Sequence, residues 1–217
     1  MSASCKAAGP KRRGLLVVLS APSGAGKRTL RQALLKCEAG IRFCPSVTTR
    51  PPRAGESNGV DYTFVTRQEF DLLVERDELV EWALVFGHRY GTPERPLEEL
   101  MAAGTDVLLE KDVQGAVALR KRYPDGVFVF VLPPSLDELK RRILDRGTES
   151  QQDICLRLSR VKAEVEYAGR YDYIIVNDQL DRAAAELRAI VWAERARVFR
   201  QRDLLGAYLD TGEVGVK

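Results

Sequence analysis

Leu15-Leu16-Val17-Val18-Leu19-Ser20-Ala21-Pro22-Ser23-Gly24-Ala25-Gly26-Lys27-Arg28-Thr29 decides the fold. Its first five residues are apolar without a break, the pattern of a strand buried on both faces. Small residues and glycines follow, and Thr29 to Cys37 then carries apolar side chains at helical spacing. Strand, glycine loop and helix, in that order, open a nucleotide-binding α/β fold. Glycines let the loop turn tightly enough for its backbone N–H groups to converge on phosphate oxygens. The helix that follows adds its positive N-terminal end. Ala21, Pro22, Ser23, Gly24, Ala25, Gly26, Lys27, Arg28 and Thr29 are therefore expected to bind the phosphates of a nucleotide, with Lys27 reaching the β- and γ-phosphates. Two positions depart from the phosphate-loop pattern: Ala21 stands at its first glycine, and Arg28 stands where a Ser or Thr hydroxyl commonly meets Mg²⁺, with Thr29 one place late.

Outward from this stretch the α/β rhythm continues. Strands are expected over Asp106 to Leu109, Val127 to Leu132 and Tyr173 to Val176, and helices over Val113 to Lys121, Ser135 to Leu144, Asp153 to Tyr167 and Asp181 to Arg200. Strands separated by helices imply parallel pairing. Residues 44–93 break the rhythm with Pro51, Pro52, Gly55, Asn58, Gly59 and short strand-like pieces such as Tyr62-Thr63-Phe64-Val65, and read as an inserted, mostly β segment.

Composition narrows the function. The 217 residues carry 34 basic and 31 acidic side chains, a net charge of +3, which is too even to argue for nucleic acid or membrane as a partner. The apolar run Leu15 to Leu19 is too short to span a bilayer. Four scattered cysteines without a CxxC pair, and a single histidine, argue against a zinc site and for reduced thiols in the cytoplasm.

The residues beyond the loop resemble one family. Ser46-Val47-Thr48-Thr49-Arg50-Pro51-Pro52-Arg53-Ala54-Gly55-Glu56-Ser57-Asn58-Gly59-Val60-Asp61-Tyr62 resembles the GMP-binding signature of guanylate kinases, and Glu81-Trp82-Ala83, Tyr90-Gly91-Thr92, Asp112-Val113-Gln114-Gly115 and Arg146-Gly147-Thr148-Glu149 follow in the family's order. The resemblance implies a P-loop NTPase-type parallel sheet flanked by helices. It also implies a core domain over 14–43, 94–144 and 168–200, a GMP-binding insertion over 44–93 and a helical lid over 145–167. Residues 1–13 read as a basic, disordered tail, and 201–217 as a C-terminal tail. The implied activity is ATP-dependent phosphorylation of GMP and dGMP, in purine nucleotide metabolism and GMP recycling, with Mg²⁺ as cofactor and ATP and GMP as the partners.

Part of the site chemistry follows from residue types. Arg50 and Arg53 are separated by prolines that keep the backbone extended. Guanidinium forks bind phosphate bidentately, and with the phenols of Tyr62 and Tyr90 the two arginines suit a dianionic monophosphate. Glu56 is placed to orient an arginine from behind. The rest comes from the resemblance. It implies that Glu81 accepts from guanine N1–H and the 2-amino group, with the hydroxyls of Ser46 and Thr92 completing the edge, a set that leaves adenine unpaired. It further implies that Glu110 and Asp112 look onto the nucleotide site from the end of a strand, with Asp112 holding Mg²⁺ through water or orienting the base, and Thr29 as a second candidate metal ligand. Arg142 and Arg146, one helical turn apart, and Arg157 on the next helix would close over the ATP phosphates as catalytic groups beside Lys27. Asn177 would lie near adenine.

Lys111, between the two carboxylates, stands where the family usually has an apolar residue. Its side chain is expected on the opposite face, its stem running past a neighbouring helix toward solvent. Arg28 is expected either to point away or to supply charge in place of the metal, giving a slower kinase with a steeper demand for Mg²⁺. His88 reads as a loop residue, because an acceptor phosphate with a second pKa of about 6 needs no general base. A non-catalytic guanylate kinase-like module that binds protein partners is the alternative, and a same-fold phosphotransferase acting on a sugar phosphate is a second.

Overall fold

A computed structural model describes residues 12–22, 24–144 and 151–209, with the backbone alone at 151–157 and 207–208. Five strands form one all-parallel sheet: β1 (Leu16–Ser20), β2 (Ile41–Phe43), β7 (Asp106–Lys111), β8 (Val127–Leu132) and β9 (Tyr173–Val176), in the order β2-β7-β1-β8-β9. The unbroken apolar run of β1 has the expected cause. Successive strand side chains point to opposite faces, and Leu15, Val17 and Leu19 join one buried cluster while Leu16 and Val18 join another. Helices α1 (Lys27–Cys37) and α7 (Leu180–Arg195) cover the first face, and α3 (Glu94–Ala102) and α4 (Val113–Arg122) the second. Each fully buried Leu or Val of this kind contributes about 1.5–3 kcal/mol.

The second sheet holds β3 (Ser46–Thr48), β4 (Tyr62–Phe64), β5 (Leu79–Val85) and β6 (His88–Pro93), in the order β4-β3-β6-β5. β3 and β4 are parallel, and the other pairs are antiparallel. A parallel pair cannot be closed by a tight turn and needs a crossover of a dozen or so residues. Here the crossover is 49–61, the stretch that carries Arg50, Arg53, Glu56 and Asp61. Helix α2 (Arg67–Glu75) lies between β4 and β5, its Phe70 buried against Val47 and Leu79. Its start is set by a capping box, with the Thr66 hydroxyl accepting from Glu69 N–H and the Glu69 carboxylate accepting from Thr66 N–H. The T-x-x-E signal was there to be read in the sequence.

Two expectations need correcting. The last long helix ends at Arg195, not Arg200. Arg197 is extended, a 3₁₀ turn follows over Val198–Arg200, and the buried Glu194 carboxylate draws the chain back by pairing with Arg197 and Arg200 at 3.3 Å each. His88 is the first residue of β6, opposite Val85 across a two-residue turn, Phe86-Gly87, in which both residues take positive φ (49° and 78°), the geometry of a tight hairpin. Helices α5 (Leu136–Leu144) and α6 (Gln151–Glu166) border the stretch expected to form the lid.

Candidate active site

The phosphate loop leaves the C-terminal end of β1, where ligands bind in open α/β sheets. Gly24 and Gly26 sit at φ 94° and 87°, backbone conformations that side-chain-bearing residues rarely take. Space forbids a side chain as well, since a Cβ on Gly24 would lie 2.9 Å from Ile143 and one on Gly26 2.4 Å from the Asn177 amide nitrogen. Ala25 is buried, and its carbonyl accepts from Asn177 Nδ2 at 2.9 Å. Asn177 thus braces the loop from the residue after β9, with one amide hydrogen spent on the loop. Arg142 comes alongside: its Nε donates to Glu138 Oε1 at 2.7 Å, and its Nη2 donates to the Asn177 carbonyl at 3.3 Å. Lys27 extends from the first turn of α1 and donates to the backbone carbonyl of Lys111 at 3.0 Å.

The acceptor side is built from charged side chains. Arg50 is buried, and its Nη2 donates to both Glu56 oxygens at 2.9 Å, its Nη1 to the Pro51 carbonyl at 2.7 Å and its Nε to the Tyr90 hydroxyl at 3.2 Å. Glu56 also accepts from Arg53 N–H at 2.8 Å, so one carboxylate sets both ends of the crossover's arginine pair. Burial works against the charged Arg50, but the Glu56 hydrogen bond and the nearby Tyr90 and Glu56 outweigh it and raise its pKa. Tyr62 and Tyr90 meet edge to face at 5.9 Å. Burial first, then Glu110, pushes the Tyr62 phenol up to about 12, so it remains a hydrogen-bond donor at neutral pH.

Beside this clamp lies a cluster of buried polar side chains. Glu81 and Thr92 are register partners on β5 and β6, and the Thr92 hydroxyl donates to Glu81 Oε1. Lys111 Nζ lies 3.0 Å from the same oxygen and donates to Ser46 Oγ at 2.7 Å. All four side chains are buried. The three residues expected on the guanine edge are therefore together, with a fourth that had been given no role. Lys111 does not run past a helix to solvent but is enclosed with a side-chain exposure of 5%. Gly115 borders this cluster, since a Cβ there would fall 3.1 Å from Glu81 Oε2 and 3.2 Å from Asp112 Oδ1.

Asp112 lies one residue beyond β7 and is the N-cap of α4, its Oδ1 accepting from Gly115 N–H at 2.9 Å. Its backbone is still extended, so it continues the line of β7 past Glu110, and the chain turns into the helix only at Val113. Glu110 faces Arg31 Nε at 3.4 Å, its Oε1 buried without a hydrogen bond.

Sequence reasoning missed a network that joins the two halves. Asp61 accepts from Arg31 at 2.7 Å, from Arg28 at 3.1 Å and from Ser57 N–H at 3.1 Å. Burial raises its pKa, but these three donors prevail and hold the carboxyl below its usual value. Arg28 also donates to the Gly55 carbonyl at 2.9 Å. It crosses from α1 to the crossover loop rather than standing over the phosphate loop. Arg31, one helical turn after Lys27, could have been found from that i, i+4 spacing. Thr29 is exposed and lines a groove with Gln32, Ala33, Leu180 and Asp181 between α1 and α7, which gives no support to a metal role for it. Ser23 and Arg146 lie outside the described residues, as does the side chain of Arg157.

The comparisons with known proteins agree with this architecture. The guanylate kinase family model matches residues 13–194. The chain is 50% identical over 190 residues to a guanylate kinase of Symbiobacterium thermophilum, covering 88% of this chain and 90% of that one. It is 48% identical over 188 residues to the guanylate kinase of Bacillus subtilis, covering 86% and 92%. A crystal structure of guanylate kinase from Anaplasma phagocytophilum superposes with a TM-score of 0.77 at 35% identity, covering 92% of this chain and 97% of that one. With a family model spanning most of its length, relatives near half identity and a shared fold, the chain belongs to the guanylate kinase family.

Proposed function

We infer that this chain transfers the terminal phosphoryl group of ATP to GMP or dGMP, releasing ADP and GDP or dGDP. One observation carries the reading. The donor-side lysine and the base-pocket carboxylate converge on a single residue, Lys111, whose carbonyl holds Lys27 and whose ammonium meets Glu81. The two half-sites therefore share one strand end.

Phosphoryl transfer passes through a loose, in-line transition state, so catalysis is mainly positioning and electrostatics. The loop amides and Lys27 would hold the donor phosphates. Arg142, fixed by Glu138 and the Asn177 carbonyl beside Gly26, would neutralise charge on the moving group, with Arg146 and Arg157 assigned the same task by resemblance. Arg50, Arg53, Tyr62 and Tyr90 would hold the acceptor phosphate, with Glu56 setting the arginines. Glu81, Ser46 and Thr92 would read the base, with Glu110 nearby. The acceptor is already an anion at neutral pH and attacks without a base. Closure of the two sides on one another would exclude water that would otherwise hydrolyse ATP.

Asp112 suits Mg²⁺. Its second carboxylate oxygen has no hydrogen bond or ion pair among the described residues, and it lies next to the residue that anchors Lys27. Mg²⁺ keeps several waters and takes one or two protein carboxylates plus phosphates, and when bound it offsets the phosphate charge. The metal role is assigned to Asp112, directly or through water, rather than to Thr29. Among the described residues no helix is long and apolar enough to cross a membrane, and we place the protein in the cytoplasm. The decisive experiment is a coupled ADP-release assay with Mg²⁺ and ATP, offering GMP, AMP, UMP and a sugar phosphate in turn. Turnover with GMP alone among these is expected. ATP binding by calorimetry without any GMP turnover would favour the non-catalytic module.

A further inference from the structure

Glu81 does not wait for its ligand with both oxygens free. Its Oε1 already receives the Thr92 hydroxyl and lies 3.0 Å from the Lys111 ammonium. A carboxylate with no cation beside it must take two donors from the base to recover its lost hydration. Here Oε1 is satisfied by the protein, and Oε2 is the oxygen left for a base. One donor then suffices. Guanine offers two on this edge, N1–H and the 2-amino group, whereas hypoxanthine offers N1–H alone.

The lysine itself is also incompletely used. An ammonium carries three N–H donors. One is directed to Ser46 Oγ, the charge pairs with Glu81 Oε1 at 3.0 Å, and no further partner occurs among the described residues. A buried charged donor without an acceptor is costly. The Lys111 ammonium and the free Oε2 of Glu81 set a donor and an acceptor on neighbouring groups, and a 6-oxopurine edge presents the complementary pair, with O6 accepting next to N1–H donating. Adenine reverses both groups. Its 6-amino group would meet the ammonium, and its N1 lone pair would meet the carboxylate.

We propose that Lys111 is a specificity-determining residue that reads the purine 6-oxo group, and that its pairing with Glu81 relaxes the demand for a 2-amino group, so that hypoxanthine monophosphate is an acceptor alongside GMP. The proposal rests on the reading of this pocket as the acceptor-base site. The 6-oxo group becomes the feature selected, and the 2-amino group a secondary one.

The test measures kcat/KM for GMP, IMP and AMP by ADP release with the unaltered protein and with Lys111→Met, which keeps an unbranched stem and removes the donors. A pocket that depends fully on hydrogen bonds to one group rejects an analogue lacking it by about 10⁴–10⁵-fold. The unaltered protein is expected to prefer GMP over IMP by less than about 10³-fold, and a preference at or above that overturns the proposal. In Lys111→Met the GMP-over-IMP preference is expected to rise by about tenfold or more, and discrimination against AMP to fall. A GMP-over-IMP ratio unchanged within about twofold, with GMP still turned over, overturns it too. The ratio is taken on one enzyme preparation, so a general loss of activity cancels. If Lys111→Met does not fold, the ratio of the unaltered protein decides alone. If the unaltered protein turns over no GMP at all, it is the assignment of the reaction that fails.

Discussion

The donor and acceptor halves of the site are made of different materials. The phosphate loop is a backbone device: two glycines at positive φ, a buried alanine and a helix start, braced by Asn177 on the Ala25 carbonyl and requiring little side-chain charge beyond Lys27 and Arg142. The acceptor pocket is a side-chain device in which Arg50, Glu56, Asp61, Arg31, Glu81 and Lys111 hold one another in place. A backbone site is specified by where a side chain cannot be. A charge-built site is specified by which partners meet, and those partners come from α1, β5, β7 and the crossover loop.

Substitutions can break this contrast. The largest effect is expected from Lys27→Ala, which removes one of the two side-chain charges the backbone device uses: kcat should fall by about 10²–10³-fold while KM for GMP changes little, as read by ADP release. Arg50→Ala removes a buried guanidinium and strands Glu56, so KM for GMP should rise by about 10²-fold with a smaller loss in kcat. An equal loss in both would mean that Arg50 acts on the transferring group as well. Gly26→Ala forces a methyl group toward Asn177 at positive φ and should cost about 1–3 kcal/mol of stability, measured by urea unfolding, even without nucleotide. A neutral result would show that the loop tolerates a side chain and that the backbone account is wrong.

The smallest effect sharpens the boundary between the halves. The Arg28 side chain is 43% exposed, and its ion pair with Asp61 is therefore screened by solvent. Arg28→Ser should raise KM for GMP by no more than about fivefold through loss of the link to the crossover loop. Restoring the hydroxyl should at the same time lower the Mg²⁺ concentration needed for half-maximal rate. A Mg²⁺ titration and turnover identical to those of the unaltered protein would contradict both roles.

Much of the fold was legible because its signals are local. The unbroken run Leu15 to Leu19 announced a doubly covered strand, and Gly24, Gly26 and Lys27 announced the loop after it. Helix α2 is equally local in its signal, the capping box of Thr66 and Glu69. The end of α7 was not legible, because it depends on Glu194 reaching Arg197 and Arg200 from within the core. In the site, residue types and resemblance together marked Arg50, Glu56, Glu81 and Thr92. They could not place Arg28, since a side chain that long can reach solvent, phosphate or a neighbouring loop from the same backbone position.

By itself, the sequence determined the parallel sheet, the position of the phosphate loop and the family, because apolar runs, glycine spacing and ordered motifs act through neighbours along the chain. The tertiary structure alone decided that Lys111 is enclosed with Glu81 and Ser46, and that Arg28 and Arg31 share Asp61. Those pairings bring together residues 30 to 65 positions apart. Charge attraction depends on distance in space, and no local pattern encodes that distance.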